Sequence, residues 1–225
     1  MSKIEKIYFP HCGLIKLLIQ SKRDIRSHEQ YGDLDDESNE WFYWNRVWVS
    51  EVALSDYLIQ EYSPNGLFNK TILELGCGTG LAGLVCAKLG GVPTFSDKVP
   101  MVMESIKESC RLNGISTYHT QVLDWSNPKD FGKSFDLVLG SEIFYDSSFL
   151  GDICQLLRRK LLLEGSTGLF CDPGRLGLKA LESCFLEYFS VSVKDLVIEW
   201  PRHSRKKSKT HSMFLYQLTK RSFFP

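Results

Sequence analysis

The sequence carries no apolar run approaching the length of a membrane span, no Cys-x-x-Cys pair, no histidines at metal-ligating spacing and no surplus of either charge. Each absence removes a class of protein. Without a long apolar run, or a clear cleavage region after the opening stretch from Met1 to Leu18, a soluble protein is expected and no membrane partner. The 27 basic residues balance the 27 acidic ones, so no global field draws the chain to nucleic acid, which is not expected as a partner either. The seven cysteines (Cys12, Cys77, Cys86, Cys110, Cys154, Cys171, Cys184) are odd in number. Several fall in apolar periodic runs, where a thiol packs as a small hydrophobe. A reducing compartment is expected, the cytoplasm with the nucleus as a second location, and no metal. His11, His28, His119, His203 and His211 read as solvent or core groups. Internal repeats and long low-complexity tracts are missing as well.

What is present fits one domain of the larger kind, since 225 residues suffice to bury a sheet with helices on both faces. Residues 1–43 read as an N-terminal extension or cap, with a short apolar stretch around Leu14 to Ile19 and an acidic cluster at Asp33, Asp35, Asp36, Glu37 and Glu40. The main domain is placed at 44–225. It opens beside an aromatic group (Trp41, Phe42, Tyr43, Trp44, Trp48) and a helical pattern through Val52, Leu54, Leu58 and Ile59. Strands are expected near Thr71–Leu75, Thr94–Ser96, Tyr118–Leu123, Phe135–Gly140 and Gly168–Cys171, each followed by a helical or irregular crossover. That alternation predicts an α/β, doubly wound, Rossmann-like sheet. Val191–Trp200 and Ser212–Leu218 lack a helix between them and read as an antiparallel pair at the edge, which makes seven strands with the last one antiparallel.

The run from Ile72 to Gly83 is an apolar strand, a glycine-spaced turn and the start of a helix. Glycines let a ligand lie against the main chain, and a helix start offers free N–H groups. Asp97 closes the next strand 21 residues after Gly76, a separation that suits an acceptor for two ribose hydroxyls. Such a fingerprint fits either a dinucleotide or S-adenosylmethionine (AdoMet). Glu74 sits two positions before the first glycine, where an ammonium group would welcome a carboxylate and a pyrophosphate would not. Asp124-Trp125 follows the third strand, where an adenine would be read.

On these residues the chain resembles the seven-β-strand methyltransferases, and within them the lysine methyltransferase-like proteins called methyltransferase family 16. The resemblance rests on Val47-Trp48-Val49-Ser50, on Leu73 to Leu81, on Asp124-Trp125 and on Leu139-Gly140-Ser141-Glu142-Ile143-Phe144-Tyr145. The Asp172-Pro173-Gly174-Arg175 turn looks like that of members acting on the electron transfer flavoprotein β-subunit, and some relatives carry a nicotinamide N-methyltransferase-like label. The resemblance implies AdoMet as cofactor, with S-adenosylhomocysteine as product. It implies that Trp48 covers the cofactor, that Gly76, Cys77 and Gly78 lie under it beside Glu74, and that Asp97 holds the ribose. Trp125 would stack near the adenine with Asp124 beside it, and Ser141 would line the methionine end. The family's Asp-x-x-Tyr motif reads Glu142 to Tyr145 here, a carboxylate moved outward by one methylene.

Methyl transfer from a sulfonium is an in-line displacement, so nucleophile, methyl carbon and sulfur must align with water kept out. An amine acceptor must be neutral when it attacks. Glu142 is expected to hold it and help remove its proton, with Tyr145 shaping the channel. A protein lysine is the leading acceptor. A small amine, a protein histidine, a non-catalytic AdoMet-binding partner protein and an NAD-dependent oxidoreductase remain as alternatives. The competing readings are Trp48 and Trp125 as core residues and Glu142 as a strand-end cap near Ser147, each the less favoured one, and the aromatic group is read either as a substrate rim or as a cap. Cys77 has no nearby base and is assigned no chemistry. Arg175 is placed at the substrate entrance. The basic stretch from Arg202 to Lys209 is read either as a docking, RNA-contacting or import segment or as a solvated hairpin tip.

Overall fold

The computed structural model describes residues 2–27, 43–128, 134–160, 165–200 and 208–221. His28, the acidic cluster from Asp33 to Glu40, Trp41, Phe42, and positions 202–207 with His203 lie outside the described residues. A hairpin of β1 (Lys3–Phe9) and β2 (Gly13–Ile19) is followed by a short helix α1 (Lys22–Arg26) and by α2 (Val49–Tyr62). The chain then runs through β3 (Thr71–Leu75), α3 (Leu81–Lys88), β4 (Val92–Asp97), α4 (Pro100–Leu112) and β5 (His119–Val122). Beyond these come β6 (Leu137–Ser141), α5 (Leu150–Lys160), β7 (Thr167–Asp172), α6 (Leu178–Phe185), β8 (Phe189–Trp200) and β9 (Lys209–Lys220). Among the described residues no helix is long and apolar enough to cross a membrane.

Seven strands form one sheet in the order β5-β4-β3-β6-β7-β9-β8. β3 to β7 are mutually parallel, and β9 inserts antiparallel between β7 and β8. The expected fold class is the one observed. The chain winds outward from β3 through β4 to β5, then returns to β6 on the other flank, so the switch point lies between β3 and β6. Open α/β sheets hold their ligands beyond the carboxyl ends of the strands at such a point. Register brings those ends level: Leu75 lies opposite both Ser96 and Gly140, and Ser141 opposite Cys171. Gly76, Asp97, Glu142 and Asp172 therefore emerge along one edge.

Alternation along β3 divides the interior. Ile72 faces a core built with α2, α3, α4 and the hairpin, while Leu73 and Leu75 face a second core built with α5 and α6. In the second core Phe144 meets Phe170 at 5.4 Å, Phe185 at 5.8 Å and Tyr216 at 6.0 Å between ring centroids. That aromatic anchor fixes the segment carrying Glu142 and Tyr145 to the sheet.

The hairpin is the element that sequence reasoning did not identify. Ile7, Phe9, Ile15, Leu17 and Ile19 are its inward residues and belong to the first core. Its docking is also polar. The Asn113 side chain accepts from Lys16 N at 3.0 Å and donates to Lys16 O at 2.7 Å, and Leu18 N donates to Ser109 Oγ at 2.9 Å.

α2 reaches the turn after β3 through Glu51. Its carboxylate accepts from Leu81 N at 2.8 Å and from the Thr79 hydroxyl at 2.8 and 2.9 Å, which supplies an acceptor to the exposed amides at the start of α3. Glu51 is buried, and burial pushes its carboxyl up to about 7 against the opposing effect of these hydrogen bonds.

Two stability predictions follow from these contacts. Asn113→Ala strands the Lys16 amide and carbonyl at a cost of about 2 kcal/mol, which calorimetry should register as a fall in Tm of about 4–8 °C. Glu51→Gln tests the buried carboxyl. Because its folded value is raised, Glu51 supports folding fully below its ordinary range near 4.5 and loses that support as pH rises through about 7. The neutral amide should accordingly gain in Tm over the wild type as pH goes from 5 to 8, by the equivalent of roughly 3 kcal/mol at most. A Tm difference that is flat with pH would contradict this.

Candidate functional site at the strand carboxyl ends

The turn after β3 is left-handed at both of its first glycines, with φ 57° at Gly76 and 48° at Gly78. Space is as restrictive as conformation there. A Cβ at 76 would stand 3.1 Å from the Trp125 ring and 3.2 Å from Ile143 Cγ2, and one at 78 would stand 3.0 Å from the Trp44 carbonyl. Only glycine lets the Trp125 ring and the Trp44 main chain close on this turn.

Three carboxylates hold the turn from behind. Asp97, from the end of β4, accepts from Gly78 N at 3.1 Å and Val99 N at 3.0 Å. Glu74, from β3, accepts from Gly83 N at 3.1 Å, and Glu51 takes Leu81 N as described. Burial pushes the Asp97 carboxyl up, and Glu74 goes well above the usual carboxylate range through burial and the charges of Glu51 and Asp97. Each Asp97 oxygen keeps a second lone pair for a further donor. Glu74 is placed beneath α3 at 2% exposure, so it acts on the helix start. Cys77 is buried, and desolvation with the Asp97 charge drives its thiol well above the usual range, which leaves it inert.

The flanks of the turn are aromatic. Trp125 packs edge-on to Phe149 at 5.9 Å, and Phe149 packs edge-on to Tyr145 at 5.7 Å. Asp124 beside Trp125 pairs with Lys98 at 3.0 Å and accepts from Ser126. Those Ser126 and Lys98 contacts hold its carboxyl below the usual range. Tyr145 is exposed, and burial of part of the ring, with Asp146 and Asp97 nearby, raises its phenol. Tyr145 is thus within electrostatic reach of Asp97. Ser141 ends β6 and is half-buried.

Glu142 departs from the strand in a left-handed conformation, φ 56°, which a side chain other than glycine adopts only at a cost of about 1–2 kcal/mol. The result is a carboxylate turned inward: one oxygen accepts from the Ser50 hydroxyl of α2, and the other forms an ion pair with Arg175. That second oxygen is close to the guanidinium but out of hydrogen-bond alignment. The cap at Ser148 is supplied by Asp146, so Glu142 is free of that duty. Beyond it, Asp172 Oδ1 accepts from Gly174 N at 2.6 Å and Arg175 N at 3.1 Å. Its Oδ2 is buried and finds no donor among the described residues, a deficit of about 1–3 kcal/mol. Two guanidiniums approach the Trp48 ring, Arg46 at 3.9 Å and Arg175 at 6.0 Å from its centroid. Its Nε1 donates to Tyr43 O at 2.8 Å.

The structure thus brings together Gly76, Cys77, Gly78, Asp97, Trp125 and Tyr145 on one side, and Trp48, Ser141 and Glu142 on the other. Sequence reasoning missed Glu51, the Ser50 contact, Phe149 and the unpaired oxygen of Asp172. Glu51 alone left a trace, an acid directly before the apolar positions Val52, Leu54, Leu58 and Ile59 of the helical pattern. Trp44 packs against the first core, as a cap would. Among the described residues no group of three or more His, Cys, Asp or Glu could hold a metal ion.

Solved structures share this architecture. One concerning the conversion of a disulfide bond into a thioacetal group during echinomycin biosynthesis superposes with a TM-score of 0.61 at 17% identity, covering 74% of this chain and 81% of that one. The ribosomal protein L11 methylase from Lactobacillus delbrueckii subsp. bulgaricus gives 0.56 at 20% identity, over 75% and 77%. Among curated proteins, a histone-arginine methyltransferase of Xenopus laevis is 33% identical over 124 residues, 52% of this chain and 51% of the relative. The electron transfer flavoprotein beta subunit lysine methyltransferase of Rattus norvegicus is 31% identical over 135 residues, 59% and 51%. The chain spans about half the length of these curated relatives. A family model described as lysine methyltransferase matches residues 35–189, a span running from before α2 to the start of β8 and including every strand end that forms the site. By that match the chain belongs to the lysine methyltransferase family.

Proposed function

We propose that the protein transfers the methyl group of AdoMet to the side-chain nitrogen of a protein lysine. The observation that carries this reading is the convergence, on one sheet edge, of a carboxylate-braced glycine turn with the Glu142 and Tyr145 pair. The turn fits the cofactor: three buried carboxylates, with Glu74 raised further by the charges of Glu51 and Asp97, suit a ligand bearing positive charge, and Asp97 has lone pairs to spare for the ribose hydroxyls. When bound, AdoMet supplies an electrophilic methyl group on a sulfonium and leaves as S-adenosylhomocysteine.

The chain's own residues do the rest. Gly76, Cys77 and Gly78 form the floor, and Asp97 holds the ribose. Trp125 flanks the adenine with Asp124, and Trp48 and Ser141 line the methionine end, while Glu74 fixes the helix start from below. Glu142 holds the acceptor's ammonium and accepts its proton, which passes on to solvent, so that the freed lone pair forms the N–C bond as the S–C bond breaks. Tyr145 narrows the entrance. A second reading has a specific observation behind it: Glu142 already receives a guanidinium, that of Arg175, and a relative is an arginine methyltransferase, so an arginine acceptor fits the same carboxylate. The seven free cysteines support placement in the reducing cytoplasm, with the nucleus as a second location.

The test is transfer of label from methyl-tritiated AdoMet into a cell extract, followed by separation by size and acid hydrolysis. Radioactive methyl-lysine in the protein fraction is expected, and Glu142→Ala should lower its rate roughly a hundredfold. Label in methylarginine or in small molecules would move the acceptor. No transfer by a protein that binds AdoMet would make it a binding partner.

A further inference from the structure

We propose that Arg175 is an internal surrogate for the acceptor's cationic side chain, occupying the Glu142 carboxylate until an incoming cation displaces it. This rests on the reading above, in which Glu142 meets the acceptor.

Four observations support it. First, burial across the pair is uneven: the Glu142 side chain is 11% exposed and that of Arg175 41%. The anion is fixed inside and the cation reaches it from the solvent side, as an acceptor from another molecule would have to. Second, both Glu142 oxygens already have a neighbour, Ser50 at one and the Arg175 guanidinium at the other, the more exposed group. An acceptor cation that approaches Glu142 from solvent therefore competes with Arg175 for the same oxygen. Third, the Trp48 ring stands 6.0 Å from the Arg175 guanidinium, so carboxylate and aromatic face together make a lining that recognises a guanidinium or an ammonium. Fourth, Asp172 is 2% exposed with one oxygen lacking a donor, a second buried anion beside Arg175 whose hydrogen-bonding capacity is unspent.

The turn is built to let the side chain move while the backbone stays. Arg175 N is tied to Asp172 Oδ1 at 3.1 Å, whereas among the described residues the guanidinium's one ion pair is with Glu142. The cation of this pair is open to solvent and so to competing ligands, whereas a largely buried carboxylate left without a cation is strongly disfavoured. Exchange of one cation for another is therefore easy, and departure without replacement is not. Arg175 thereby selects for a cationic acceptor over a neutral polar one.

Butylammonium, butylguanidinium and, as the neutral control, butanol would be titrated calorimetrically into protein saturated with S-adenosylhomocysteine, using wild type, Arg175→Ala and Arg175→Lys. Arg175→Ala should bind at least one of the two cations about fivefold more tightly than wild type. Arg175→Lys should remain within about twofold of wild type, and butanol should show no change. The cation that gains more reports whether the site prefers an ammonium or a guanidinium. Equal or weaker cation binding by Arg175→Ala, or an equal gain for butanol, would overturn the surrogate role. Titration of the S-adenosylhomocysteine itself separates the two levels. If it binds wild type and Arg175→Ala alike and the cations gain nothing, the role of Arg175 alone falls. If it binds neither, the methyltransferase reading falls with it.

Discussion

Three buried carboxylates from three different elements grip six residues of main chain, and the rest of the site depends on that grip. Asp97 of β4 takes Gly78 N, Glu51 of α2 takes Leu81 N and Glu74 of β3 takes Gly83 N. A glycine-rich turn left to itself has more conformations to lose than any other sequence. The three acceptors remove that freedom and satisfy amides at a helix start. The arrangement is costly, because burial raises all three carboxyls and the charges of Glu51 and Asp97 add to it at Glu74. A purely structural turn could be capped by a serine or threonine at no such cost. On the proposed reading, a cationic cofactor offsets that cost.

The acceptor half follows a different plan. Ile143 and Phe144 are buried anchors, and between strand and anchor the left-handed Glu142 turns its carboxylate toward Ser50 and Arg175. Strain at that residue is held by packing on both sides, a pattern associated with functional positions. The relatives act on different residues, arginine in one and lysine in another, as their names state.

Much of the fold was legible because the signals are local. β3 coincides with the expected Thr71–Leu75, and the apolar runs of β4, β6 and β7 lie within a few residues of their expected places, since a buried strand needs a continuous apolar stretch. The glycine turn and Asp97 were legible through spacing along one βαβ unit. The hairpin was not, although β1 and β2 alternate plainly around Ile7, Phe9, Ile15 and Leu17. Its partners are Ser109 and Asn113, some 90 residues away, with separations of 91 and 97. Nothing in a neighbouring window announces them. The same holds for Ser50 with Glu142, separated by 92 residues, and for the Arg175 pairing. Contacts across the sheet edge arise from register, and register appears only when strands are laid side by side.

The most direct test of the account is a calorimetric titration of the wild-type protein and of Asp97→Ala with AdoMet and with S-adenosylhomocysteine. Asp97 is predicted to bind the ribose while bracing the turn, so wild type should bind both ligands, and the variant should lose both while still unfolding cooperatively. A folded wild type that binds neither, or a variant that binds as tightly as wild type, would contradict the assignment of the glycine turn and Asp97 as the cofactor site.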